Sequence, residues 1–149
     1  MPRESTWGGA RAGAGRPPRG SRSSEPHKAR PRLLARHRVH VIAHVVPAVG
    51  SLRSRFARTA IDRAAATARA RGDFSIVHLR VVTRRLELIV EAADHTALAR
   101  GMQGFQISAA RYLNAAAARR GPVFPDRYRA RILRTPASLR AAIAALPRG

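Results

Sequence analysis

Beyond Arg36 the spacing of apolar residues switches repeatedly between a period of two and one of about 3.6, and the order of those switches constrains the fold more than any other feature. Val39, Val41, Ala43 and Val45 alternate with His40, Ile42 and His44, the pattern of a strand with one buried face, and Pro47 and Gly50 end it. Helical spacing follows from Ser51 to about Arg71. There Leu52, Phe56, Ala60 and Ala64 form an apolar stripe among arginines, and Gly72 supplies the stop. Phe74 to Val82 reads as a second strand. A short turn at Thr83 and Arg84 leads into a third, in which Leu86, Leu88 and Val90 alternate with Arg85, Glu87, Ile89 and Glu91, so the two predict a hairpin at the sheet centre.

Asp94 or Thr96 can cap a second long helix whose stripe is Leu98, Met102, Phe105, Ala109, Leu113 and Ala116. Gly101 and Gly104 interrupt it. Each costs about 1 kcal/mol relative to Ala in a helix interior, so close packing against the sheet is the expected reason for both. Gly121 and Pro122 mark a loop before Phe124, and Tyr128, Ala130 and Ile132 then alternate with Arg127, Arg129 and Arg131 in a fourth strand. Thr135, with Pro136 behind it, opens a last helix that runs to about Leu146 before Pro147 stops it. Strand, helix, strand, strand, helix, strand is the ferredoxin-like order: an α+β fold with an antiparallel sheet, helices on one face and the other face open. A chain of 149 residues suits one such core and not two.

Residues 1–36 follow neither period. Gly, Pro, Ser and Arg dominate and Trp7 is the one aromatic, too little apolar surface to offset the entropy of ordering. The expectation is a disordered basic arm ahead of a single domain over 37–149. Nine basic residues against Glu4 and Glu25 give the arm +7 of the chain's +21, leaving +14 on the domain. A GC-rich coding bias would raise Ala, Arg, Gly and Pro together, but it would not explain why only eight acids face 29 basic residues. Such a charge calls for a polyanion, and nucleic acid comes first. Neutralising phosphates releases condensed counterions, and Arg, which makes up all the basic residues but Lys28, adds planar bidentate hydrogen bonding.

Other chemistries are thinly represented. There is no cysteine, hence no disulfide and no thiolate metal site. No apolar run approaches the roughly 18 residues of a membrane span, and the reading is a soluble, cytoplasmic, nucleoid-associated protein. His40 and His44 share a strand face but stand roughly 13 Å apart, too far to share one ion. Within the domain, Arg127, Arg129 and Arg131 would align guanidiniums at about 7 Å intervals, close to the phosphate spacing of a nucleic-acid strand. Arg119, Arg120 and Arg134 would extend that surface, with a merely solvated face as the bland alternative. In the arm, Gly15-Arg16-Pro17 with Arg11 and Arg19 is similar to an AT-hook, although Ala14 stands where a hook usually has Arg and non-specific phosphate contact by Arg16 and Arg19 is the preferred reading.

Several segments in order carry a wider likeness. They are Trp7-Gly8-Gly9, Gly13-Ala14-Gly15-Arg16-Pro17-Pro18, Pro26-His27-Lys28-Ala29-Arg30-Pro31, Val39-His40-Val41, Ser51-Leu52-Arg53 and Leu88-Ile89-Val90-Glu91-Ala92, then Arg100-Gly101-Met102-Gln103-Gly104, Phe124-Pro125-Asp126-Arg127-Tyr128 and Arg134-Thr135-Pro136. Over nearly its whole length the chain resembles the REP-associated tyrosine transposases of the HUH single-strand nuclease superfamily. The resemblance implies transposition chemistry on single-stranded or hairpin DNA, with a divalent metal such as magnesium as cofactor and the oligomeric state left open.

In that family the central strand reads Asn-His-Leu-His-Leu-Ile-Val, and its two histidines hold the metal. Here the segment is Arg84-Arg85-Leu86-Glu87-Leu88-Ile89-Val90, so Arg85 and Glu87 stand where the imidazoles would be. A guanidinium has no lone pair to donate and repels a cation, and Glu87 beside it is expected to form an ion pair. The family's nucleophilic tyrosine and the asparagine four residues later fall on Ala145 and Gly149. Tyr112 and Tyr128 are read as structural. The expectation is a DNA-binding transposase relative that has lost cleavage and holds no metal. A working enzyme with a non-standard site, an RNA-binding protein and a decaying gene product are its rivals.

Overall fold

Among the described residues, four strands and three α-helices follow one another in the order the periodicity requires. The structure, a computed structural model, describes residues 31–146. Strand β1 is Arg38–His44, and helix α1 is Arg55–Ala68. The hairpin is β2, Phe74–Val82, and β3, Arg85–Ala92. Helix α2, His95–Ala116, strand β4, Arg129–Leu133, and helix α3, Pro136–Ala144, complete the order. All pairings are antiparallel, and the sheet runs β2-β3-β1-β4, so β3 and β1 are central and β2, expected at the centre with its hairpin partner, is an edge strand because β1 takes the other side of β3. This is the expected ferredoxin-like arrangement of strands, but the second sheet face is not left open as expected, because the apolar side of α3 is buried against it.

The core lies between the sheet and the pair α1 and α2. Val39 and Val41 of β1 and Leu86, Leu88 and Val90 of β3 are fully buried against Ile61 of α1 and Met102, Phe105 and Leu113 of α2. A bulge between Ile76 and His78 keeps β2 in phase. One extra residue lets Phe74 and Ile76 before it, and Leu79 and Val81 after it, all face the helices, while Val77 is turned out at 39% exposure. On the opposite face α3 adds a second, smaller cluster of Ile89, Leu133 and Ala142, supported by Leu139 and Leu146.

Local chemistry sets the helix ends. Ser54 caps α1 by accepting a hydrogen bond from the Ala57 N–H, so the helix begins four residues later than its apolar pattern suggests. Of the two candidates for α2, Asp94 is the cap, its carboxylate 2.8 Å from the Ala97 nitrogen. Thr135 caps α3 in a reciprocal box with Ser138. Several sequence expectations change. Phe56 leaves the buried stripe of α1, which is Ala57, Ala60, Ile61, Ala64, Ala65 and Ala68. Ala116 is exposed at the last turn of α2. Gly101 packs closely against Phe74, whereas Gly104 faces open space and needs another reason. The expected arm of residues 1–36 lies outside the described residues except for 31–36, where Leu33 is buried in the core, so folded structure begins ahead of residue 37.

Candidate nucleic-acid interface

Register fixes what the face opposite α1 and α2 presents. One row across the sheet is Arg80 on β2, Glu87 on β3, Ile42 on β1 and Arg129 on β4. The next row is His78, Ile89, His40 and Arg131. Because strands are pleated, these side chains share the side opposite α1 and α2, which α3 covers at Ile89 and Leu133 and leaves exposed at Arg129 and Arg131.

Glu87 is the one buried charged residue among those described, 6% exposed. The Arg85 Nε donates to it at 2.6 Å and an Arg80 guanidinium nitrogen at 3.0 Å. Burial pushes the carboxyl up, but the hydrogen bonds and positive charges of Arg85 and Arg80 outweigh it, and Glu87 is held below its ordinary value. The expected ion pair with Arg85 is therefore present. Arg80 is a second partner that sequence reading missed, because the bulge shifts the phase that decides which way residues after Val77 point.

His40 sits one row on. Its Nε2 is buried without a hydrogen-bond partner. Burial lowers its basicity most, Glu87 raises it by less and Arg131 lowers it by less still, so the imidazole is biased toward the neutral form. His44 is exposed at the strand end. Among the described residues no group of three or more His, Cys, Asp or Glu converges as a metal site would require. The positions where the family's metal histidines would fall do not fit a cation either: one is a guanidinium, and the other carboxylate is already held by two guanidiniums.

The expected basic surface is only partly assembled. Arg129 and Arg131 lie on edge strand β4, exposed, two residues apart on the face opposite α1 and α2. Arg127 precedes the strand, stacks over the Tyr128 ring at 5.7 Å and lines a recess with Gln103, Gln106 and Ile107 of α2, so it does not continue the ladder. Arg119 is engaged inside its own loop. Its guanidinium donates to the Asn114 side chain at 2.7 Å and to the Pro122 carbonyl at 3.3 Å, tying the end of α2 to the chain leading to β4. Arg120 and Arg134 are exposed. Arg16, Arg19 and Gly149 lie outside the described residues.

Neither tyrosine shares that face. Tyr112 is on α2, across the sheet, with the guanidiniums of Arg63 and Arg111 each 5.4 Å from its ring centre. Tyr128 packs against the main core under Arg127. Ala145 is the exposed residue that closes α3. No helix among the described residues is long and apolar enough to cross a membrane.

No protein-family model and no curated protein matches the chain. Solved structures do share its fold. A crystal structure of a Deinococcus radiodurans protein provisionally described as a transposase aligns over 83% of this chain and 94% of its own, with a TM-score of 0.50 at 15% identity. A REP-associated tyrosine transposase bound to a REP hairpin aligns over 81% of this chain and 70% of its own, with a TM-score of 0.58 at 11% identity. The fold implied by the sequence resemblance is the fold observed.

Proposed function

We propose that this protein is a transposase relative that binds single-stranded or hairpin DNA through the part of the second sheet face that α3 leaves exposed, at the β4 edge, and has lost the chemistry of strand cleavage. The observation that carries the reading is Glu87, locked between Arg80 and Arg85 at the position where the resemblance puts a metal-binding imidazole. A site built this way polarises no phosphate through a metal. It does offer fixed positive charge. Arg129 and Arg131 stand roughly 7 Å apart along β4, a spacing that meets successive phosphates of an extended strand. The solved relative bound to a hairpin supports the choice of DNA form.

Binding of a labelled DNA hairpin with a single-stranded flank, followed by fluorescence anisotropy over a salt series, tests the proposal. Arg129→Ala with Arg131→Ala is expected to weaken binding to every sequence alike. It should also flatten the log–log salt dependence by about 1.5, the contribution of two phosphate contacts. With magnesium present, a denaturing gel is expected to show neither a cleaved nor a protein-linked strand. A cut product, a preference for the matched RNA hairpin, or no binding at moderate ionic strength would each overturn the reading.

A further inference from the structure

Among the described residues the most exposed large apolar side chain is Phe56, 73% accessible in the first turn of α1. Nothing in the core requires it there, since the buried stripe of the helix is complete without it. Its surroundings are strongly basic. Between Ser51 and Ile61 the chain carries Arg53, Arg55 and Arg58 and no acid. All three arginines are exposed, and none takes part in the four ion pairs among the described residues.

The backbone ties this segment to the tip of the β2–β3 hairpin. The Leu52 N–H donates to the Thr83 carbonyl at 2.9 Å, and the Val45 N–H to the Arg84 carbonyl at 3.0 Å. Arg84, exposed, therefore joins the same end of the sheet. The face opposite α1 and α2 leads there. From the row of Glu87 and Arg129, two residues along the strands bring Arg85 and His44, and the tip follows.

An exposed phenyl ring among unpaired guanidiniums matches what a single strand presents: flat bases with apolar faces, joined by phosphates. We propose that Phe56 is a stacking platform for an unpaired base of single-stranded DNA, with Arg53, Arg55 and Arg84 holding the phosphates beside it. This inference rests on the DNA-binding reading above and adds a second contact to it, beyond the β4 arginines. It also divides the labour. Duplex stems, whose bases are already stacked, gain nothing from Phe56, whereas flanks and loops do.

The test compares the full chain with Phe56→Ala and Phe56→Trp, using a DNA hairpin with a single-stranded flank and the same hairpin without it. Phe56→Ala is expected to lose about tenfold in affinity for the flanked hairpin, to leave the blunt one unchanged and to keep the salt slope. Phe56→Trp should restore binding. 2-Aminopurine walked along the flank is expected to be quenched at one position by wild type and not by Phe56→Ala. Wild type that binds flanked DNA no better than Phe56→Ala overturns this inference while leaving the β4 interface standing. Wild type that binds neither hairpin overturns the underlying reading. A lower melting temperature for Phe56→Ala, or its conversion of a dimer to a monomer in sedimentation, would assign the ring to protein packing and overturn the inference too.

Discussion

Gly101→Ala is expected to lower the stability of the domain by about 2 kcal/mol, although alanine is the better helix former. A Cβ at Gly101 would lie 2.1 Å from Cγ of Phe74 and 2.4 and 2.6 Å from the two Cδ atoms. Those atoms are the root of the ring, not a flexible end, and Phe74 is 2% exposed with no room to turn aside. Overpacking of this kind costs up to about 3 kcal/mol, and the helix preference for Ala returns about 1. Gly104 is the internal control. It is on the same helix, and nothing lies within 4 Å of where its Cβ would be, so Gly104→Ala should gain about 1 kcal/mol. Thermal unfolding would separate the two variants by more than 10 °C, a few degrees per kcal/mol for a domain of this size. Should Gly101→Ala melt at or above wild type, the close approach of α2 to β2 would be wrong. Phe74→Leu in the Gly101→Ala background is expected to recover part of the loss.

The elements legible in the sequence are those whose burial is dictated by one period. Leu86, Leu88 and Val90 alternate toward α1 and α2 because β3 is central and both its neighbours hold its phase, whereas the burial of Ile89 and Glu87 on its other face did not show in that period. The hairpin, the Thr135 cap and the order of elements follow from equally local chemistry. What escaped depended on contacts distant in sequence. Phe56 has helical spacing with Leu52 and Ala60, yet α1 starts only after Ser54, so Leu52 is buried by the preceding turn and the stripe is set instead by Ala57, Ala60 and Ile61. Gly101 and Gly104 look alike until the helix is laid on the sheet, when one meets a phenyl ring and the other solvent. Arg119 carries no local sign that it will bridge Asn114 and Pro122. The candidate site was half legible. Arg85 and Glu87 could be paired from their two-residue spacing on one strand, but Arg80 enters only through the bulge, and His40 only through strand order.

Glu87→Ala is expected to move stability and DNA affinity in opposite directions. Removing one partner of a buried ion pair costs about 3 to 5 kcal/mol, and the lower end applies because Arg85 keeps 43% of its side chain in solvent and Arg80 27%. Urea unfolding at neutral pH should therefore show a loss of about 3 kcal/mol. Acid supplies an independent check. Since Glu87 is held below the ordinary carboxyl value of 4.5, its contribution is present above that pH and is lost as pH falls through its lower folded value. His40, lowered from 6.5, binds its proton more readily in the unfolded chain, so it too favours the folded state above that pH and withdraws support as pH falls below it. Wild type should thus weaken in two stages on acidification, and Glu87→Ala should lack the more acidic one. Loss of the carboxylate also frees two guanidiniums on the face that carries Arg129. Binding of the flanked hairpin should then tighten, with a steeper salt dependence, as the less stable protein offers the phosphates more unpaired charge. If Glu87→Ala is as stable as wild type, the clamp seen between Arg80 and Arg85 does not hold the sheet. If it is less stable and binds DNA no more tightly, the strand does not cross the central row of that face.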